Sequence, residues 1–138
     1  MFKFILMEGL YYFQLEPLDV LNVIDEQKCR ELKLPSEFNQ CIINNYYPGQ
    51  GISKHIDDER YGDVIGCFTL NGGCNMLFEY YGVGRNSIEQ RVEPNSLYIM
   101  SGESRYRWLH SMPQRKSDYV NGKKIKRVRR VSVTFRKV

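Results

Sequence analysis

From Cys41 onward the chain is cut into short apolar runs by turn-forming residues, and that spacing restricts its fold more than any other feature. Cys41-Ile-Ile-Asn-Asn-Tyr-Tyr47 reads as a strand and ends at Pro48-Gly49-Gln50-Gly51, a strong turn signal. Short β-type runs follow at about 64–70, 75–81, 88–92 and 96–101. Asn71-Gly72-Gly73 and Gly82-Val-Gly-Arg-Asn86 lie between them and are expected to form hairpin connections. The C-terminal stretch alternates, with Arg130, Ser132, Thr134 and Arg136 on one face and Val131, Val133 and Phe135 on the other. Closely spaced strands of this kind predict a mainly β domain, a sandwich or barrel.

The remaining segments are less regular. Residues 1–14 suggest one or two short strands. Leu18 to Leu32 carries apolar residues at Leu18, Val20, Leu21, Val23, Ile24 and Cys29, with Asp19 near an N-cap, and predicts one flanking helix. The fold class expected is therefore mainly β with a flanking helix (α+β). Gln114 to Lys126 is polar and basic, contains Asn121-Gly122, and reads as a loop or loose hairpin. The 138 residues suit a single domain, 1–138, with one core. Ten tyrosines favour strands over a helical bundle.

Cys29, Cys41, Cys67 and Cys74 form no C-x-x-C pair and read as reduced thiols, neither a zinc site nor a disulfide framework. The apolar run at Met1-Phe-Lys-Phe-Ile-Leu-Met is too short for a signal peptide, and no stretch approaches membrane-spanning length. The expected location is the cytoplasm or nucleus.

The chain contains only two histidines, and their placement is chemically specific. In extended backbone the side chains at i and i+2 share a face, so His55 and Asp57 can bind one ion together. His110, from a distant strand, would complete a 2-His-1-carboxylate face, leaving the other positions open as non-haem Fe(II) oxygenases require. An isolated H-x-D arises often by chance. What strengthens it is the arginine face of the C-terminal strand, because a guanidinium fork holds a carboxylate by two parallel hydrogen bonds. A metal with open positions beside such an arginine calls for a ligand that chelates at one end and carries a carboxylate at the other, and 2-oxoglutarate fits. Taken alone, the same strand is equally consistent with a solvated basic surface.

Charge is unevenly distributed. Residues 101–138 hold twelve Lys/Arg against Glu103 and Asp118, a balance of +10, while the first 100 residues carry −6. A basic C-terminal third suits an anionic partner, nucleic acid first, or a merely solubilising face. The candidate nucleic-acid contacts are Arg105, Arg107, Arg115, Lys116, Lys123, Lys124, Lys126, Arg127 and Arg129.

Three ordered motifs, Asn44-Asn-Tyr46-x-Pro48-Gly49-x-Gly51-Ile52-x-x-His55-x-Asp57, Ser101-Gly-Glu-Ser-Arg105-Tyr-x-Trp108-x-His110 and Arg130-Val-Ser-Val-Thr-Phe-Arg136, resemble the AlkB-like family of Fe(II)/2-oxoglutarate dioxygenases. They look closest to the branch that hydroxylates a modified wobble uridine in tRNA. The resemblance implies a double-stranded β-helix (jelly-roll) core over about 38–138, with Fe(II), 2-oxoglutarate and O2 as reactants. It implies that His55, Asp57 and His110 ligate iron, and that Arg130, assisted by Asn44 and Tyr46, holds the distal carboxylate of 2-oxoglutarate. Thr134 joins that pocket, and Arg136 lies near the chelating end. Family members usually carry a longer N-terminal part with a base-covering lid. Only 43 residues precede Asn44 here, so a reduced or absent lid is expected, acting on an already exposed base or with a partner protein supplying recognition. The rivals to an RNA-oxidising enzyme are an AlkB-like enzyme acting on alkylated DNA, protein or a small molecule, and a non-catalytic nucleic-acid-binding module.

Overall fold

A computed structural model describes residues 2–15, 38–84 and 86–138. Among these residues, twelve strands form two facing antiparallel sheets and a separate hairpin. The larger sheet has the order β1-β2-β8-β5-β12-β3, formed by Phe2–Met7, Leu10–Gln14, Ser96–Met100, Ile65–Asn71, Arg130–Arg136 and Gln40–Tyr46. The smaller sheet has the order β4-β9-β6-β7, formed by Ile52–His55, Trp108–Met112, Cys74–Tyr80 and Ser87–Val92. From β3 to β9 the chain crosses repeatedly between the two sheets, which is the jelly-roll arrangement expected. A five-residue helix, α1 (Gly102–Tyr106), joins β8 to β9. The expected helix over 18–32 lies outside the described residues.

Period-two alternation places the core. Leu10, Tyr12, Cys67, Tyr98 and Met100 of the large sheet pack against Met76, Phe78, Val92 and Met112 of the small one. The opposite face of the large sheet is also buried, through Phe13, Phe68, Leu97, Ile99 and Val133. Burial on both faces explains why Ile65–Thr69 and Ser96–Met100 are buried without interruption.

Asn71-Gly72-Gly73 is not a hairpin turn, contrary to its local signal. It carries the chain from β5 in one sheet to β6 in the other. The glycine serves a close approach instead: Gly72 has φ +70°, and a Cβ there would fall 2.5 Å from the Arg129 carbonyl oxygen. Gly82–Asn86 does join an antiparallel pair, β6 and β7. The basic stretch after Gln114 is an ordered hairpin, β10 (Ser117–Val120) with β11 (Lys123–Lys126), turning at Asn121 and Gly122, both at positive φ. No helix among the described residues is long and apolar enough to cross a membrane.

Candidate iron and 2-oxoglutarate site

Sheet register brings the two histidines together. In the β4–β9 pair His55 lies directly opposite His110, after an irregularity between Ile52 and His55 that re-aims the end of β4. Their ring centroids are 4.1 Å apart. Gly51, just before β4, makes this approach possible, because a Cβ there would collide with the Met112 carbonyl oxygen. His55 Nδ1 lies 2.7 Å from the Ser53 carbonyl, so Nδ1–H donates and Nε2 is left to face the site.

Asp57 follows β4 directly and is 7 % exposed. Its Oδ1 lies 3.3 Å from His55 Nε2 and 3.2 Å from His110 Nε2, yet accepts no hydrogen bond. Burial alone would raise the Asp57 pKa, but the two imidazoles and the Arg136 guanidinium outweigh it and hold the carboxyl well below its usual range. Asp57 in turn pushes His55 up, whereas burial pulls His110 down toward the neutral, ligating form. The three ligand atoms lie within 4.8 Å of one another. A carboxylate oxygen left without a donor between two imidazole nitrogens fits a divalent iron ion bound on one face of an octahedron.

The same cavity is lined by Asn44, Tyr46, Cys67, Tyr98, Arg130, Ser132, Thr134 and Arg136. Arg130 is 4 % exposed. Its Nη2 donates to Thr69 Oγ1 at 3.0 Å, its Nη1 reaches only the Met112 sulfur at 3.9 Å, and its Nε has no partner. No carboxylate among the described residues pairs with it. A buried guanidinium is stable only with its charge met, so this one is built to meet an anion. Register sets Tyr46 opposite Arg130 and Asn44 opposite Ser132, and the Tyr46 ring centroid is 5.8 Å from the Arg130 guanidinium carbon. Arg136, farther along the same face of β12, donates to Asp57 Oδ2 at 2.8 Å and stacks on Tyr61 at 4.4 Å.

The 2OG-Fe(II) oxygenase superfamily pattern matches residues 14–136. The chain belongs to that superfamily. Its sequence relatives place this oxygenase in the AlkB-like branch. It is 37 % identical over 118 residues to the "Alkylated DNA repair protein ALKBH8 homolog" of Arabidopsis thaliana, covering 72 % of this chain and 34 % of that protein. It is 34 % identical over 117 residues to the "tRNA (carboxymethyluridine(34)-5-O)-methyltransferase alkbh8" of Xenopus tropicalis, covering 72 % of this chain and 18 % of that protein. The chain spans between about a fifth and a half of the length of the curated relatives it matches. Among solved structures, OsALKBH1 superposes with a TM-score of 0.61 at 15 % identity, covering 94 % of this chain and 78 % of that one. Membership of the superfamily implies Fe(II), 2-oxoglutarate and O2.

The nine basic residues singled out from the sequence divide in the structure. Arg107, Lys116, Lys123, Lys124, Lys126 and Arg129 are exposed. Arg115 is half-buried and paired with Glu89 at 2.8 Å. Arg105 and Arg127 must be removed from any surface contact set, because both are buried with their donors engaged by the protein itself. Arg127 grips both oxygens of Asp118, at 2.7 and 2.9 Å, and reaches the Pro113 carbonyl at 2.6 Å. Arg105 donates only to backbone carbonyls. Thr69 and Tyr61 border the candidate site without any sequence signal, since each meets it only through an arginine the fold sets beside it, Arg130 and Arg136.

Proposed function

We propose that this oxygenase domain oxidises a modified base in nucleic acid, with RNA, tRNA above all, as the substrate. The observation that carries the chemistry is Arg130, a buried cation with no carboxylate partner among the described residues, in the cavity that also holds His55, Asp57 and His110. Its place in one cavity with the triad suits a ligand with carboxylates at two ends, as 2-oxoglutarate has.

In this reading His55, Asp57 and His110 bind Fe(II) through Nε2, a carboxylate oxygen and Nε2. Arg130 fixes the distal carboxylate of 2-oxoglutarate, with Thr69 holding the guanidinium plane and Tyr46, Asn44 and Thr134 shaping the pocket wall. Arg136 neutralises Asp57 Oδ2 and keeps Oδ1 toward the imidazoles. The iron, 2-oxoglutarate and O2 together supply the oxidation: substrate C–H becomes C–OH, while 2-oxoglutarate becomes succinate and CO2. The apolar walls at Ile65, Met76 and Met100 exclude water from that reaction.

RNA is favoured by the tRNA-directed name of the Xenopus relative and by the basic hairpin. On the outward face of that hairpin Tyr119, 62 % exposed, sits opposite Lys124, with Ser117 opposite Lys126. An exposed aromatic among lysines suits an unpaired base beside its phosphates. The Arabidopsis name, with its reference to alkylated DNA, favours DNA as the second reading. The two are separated by incubating the Fe(II)-loaded protein with 2-oxoglutarate and either total tRNA or methylated single-stranded DNA, then reading nucleoside masses. An oxidised tRNA nucleoside supports the proposal; loss of methyl groups from the DNA alone transfers it to DNA; no change in either sinks a nucleic-acid substrate.

A further inference from the structure

Asp57 is the one member of the triad that no sheet holds. β4 ends at His55, and the next segment, 56–62, runs free of strand pairing until β5 begins at Ile65. Arg105, from the short helix α1, closes this gap. Its Nη1 donates to the Asp57 carbonyl at 2.7 Å, its Nη2 to the Asp58 carbonyl at 2.8 Å, and its Nε to the Gly62 carbonyl at 3.0 Å. One planar fork thus ties the two ends of the loop together, and the side chain is only 2 % exposed. The neighbouring residue adds a second tether: the Tyr106 hydroxyl donates to Asp63 Oδ1 at 2.5 Å, and the Tyr106 ring packs 4.7 Å from the Arg105 guanidinium carbon.

We infer that Arg105 and Tyr106 form a clasp that positions the metal-binding carboxylate of Asp57, Arg105 being the principal positioning residue. The inference rests on His55, Asp57 and His110 being the metal ligands. A carboxylate contributes fully to a metal site only when its backbone holds it at the required distance and angle, and supporting groups of this kind change metal affinity by about 10–100-fold. Without the clasp the Asp57 backbone keeps little to hold it among the described residues. The loop's own hydrogen bond runs from Tyr61 N to the Asp58 carbonyl at 3.0 Å, and Lys137 N reaches the Tyr61 carbonyl at 3.4 Å. Lysine keeps the charge of Arg105 but cannot bridge three diverging carbonyls. The side chain of Asp58 is already turned away, accepting from Arg60 N and Nε, each at 2.9 Å.

The test is Co(II) titration, with Co(II) standing in for Fe(II), of the full chain and of Arg105→Lys, followed by calorimetry. A core variant, Leu97→Ala, serves as control: Leu97 is fully buried in the outer cluster and does not line the cavity. The clasp predicts a Kd for Co(II) raised about 10–100-fold in Arg105→Lys. It predicts a change within about two-fold in Leu97→Ala at a comparable loss of Tm. Tyr106→Phe changes an exposed residue and keeps the test open if Arg105→Lys does not fold; its Kd should rise several-fold with Tm nearly unchanged. Unchanged affinity in whichever clasp variants fold, or an equal loss in Leu97→Ala, overturns the clasp. A parent protein that binds no Co(II) overturns the metal site itself, and the clasp with it.

Discussion

Arg136 Nη2 lies 2.8 Å from Oδ2 of Asp57, so one buried carboxylate faces two imidazoles with one oxygen and a guanidinium with the other. This division of labour explains how Asp57 stays ionised inside the protein and keeps an oxygen free for a metal.

Removing Arg136 leaves that carboxylate without its fixed counter-charge. Arg136→Met should destabilise the metal-free protein by about 3 kcal/mol, the lower end of the range for breaking a buried pair, because the guanidinium is partly exposed. Bound Co(II) should recover much of the loss. Thermal unfolding with and without Co(II) checks this: the metal-induced rise in Tm should be larger in the variant than in the parent.

Arg130 should show the opposite pattern. Arg130→Met removes a buried cation that has no carboxylate partner among the described residues, so the ligand-free protein should be as stable as the parent or more so. Binding of 2-oxoglutarate to the Co(II)-loaded protein should weaken about 10–100-fold, since a charge-assisted hydrogen bond contributes roughly 1.5–3 kcal/mol. Calorimetric titration reads the affinity, and urea unfolding reads the stability.

These two arginines lie on a strand legible from alternation alone, and the triad is legible because a chain with two histidines leaves few choices. What cannot be read from sequence is anything decided by distant partners. The bounds of the strand that carries His110 are not evident, because the short run between α1 and Pro113 has no turn signal of its own on the N-terminal side. Asn71-Gly72-Gly73 carries a hairpin signal, yet the pairing of β5 with β12 and β8 decides that the chain changes sheet there. Arg105 and Arg127 read as surface charges because arginine is mostly exposed. Their burial follows from carbonyls and a carboxylate that only the fold brings within reach.

Asp118 and Arg127 predict how the fold responds to acid. Burial would raise the Asp118 carboxyl, but its bonds to Arg127 outweigh this and hold it below its ordinary value. A carboxyl depressed in the folded state contributes stability that is complete above its unfolded pKa, about 3.9, and is lost as pH falls through the folded value. Asp118→Asn should therefore cost about 3–5 kcal/mol at pH 7 by leaving Arg127 buried and unpaired. Its stability should also fall less than the parent's between about pH 5 and pH 2. Urea unfolding across that range checks both.

The exposed lysines of the β10–β11 hairpin should act on nucleic acid and not on metal. Charge reversal at Lys123, Lys124 and Lys126 together should weaken binding of single-stranded RNA and flatten its salt dependence, by about 0.7 in the log–log slope for each phosphate no longer neutralised. Co(II) affinity should not change. Fluorescence titration with labelled RNA at several salt concentrations reads the effect; an unchanged RNA affinity would remove the hairpin from the interface.

The most direct test of the iron-oxygenase account is succinate formation from 2-oxoglutarate by the purified protein with Fe(II) in air, compared with His55→Ala. The account predicts turnover by the parent, stimulated by tRNA, and none above background in the variant. Turnover that survives His55→Ala, or a parent that binds metal and 2-oxoglutarate yet forms no succinate with tRNA present, would contradict it.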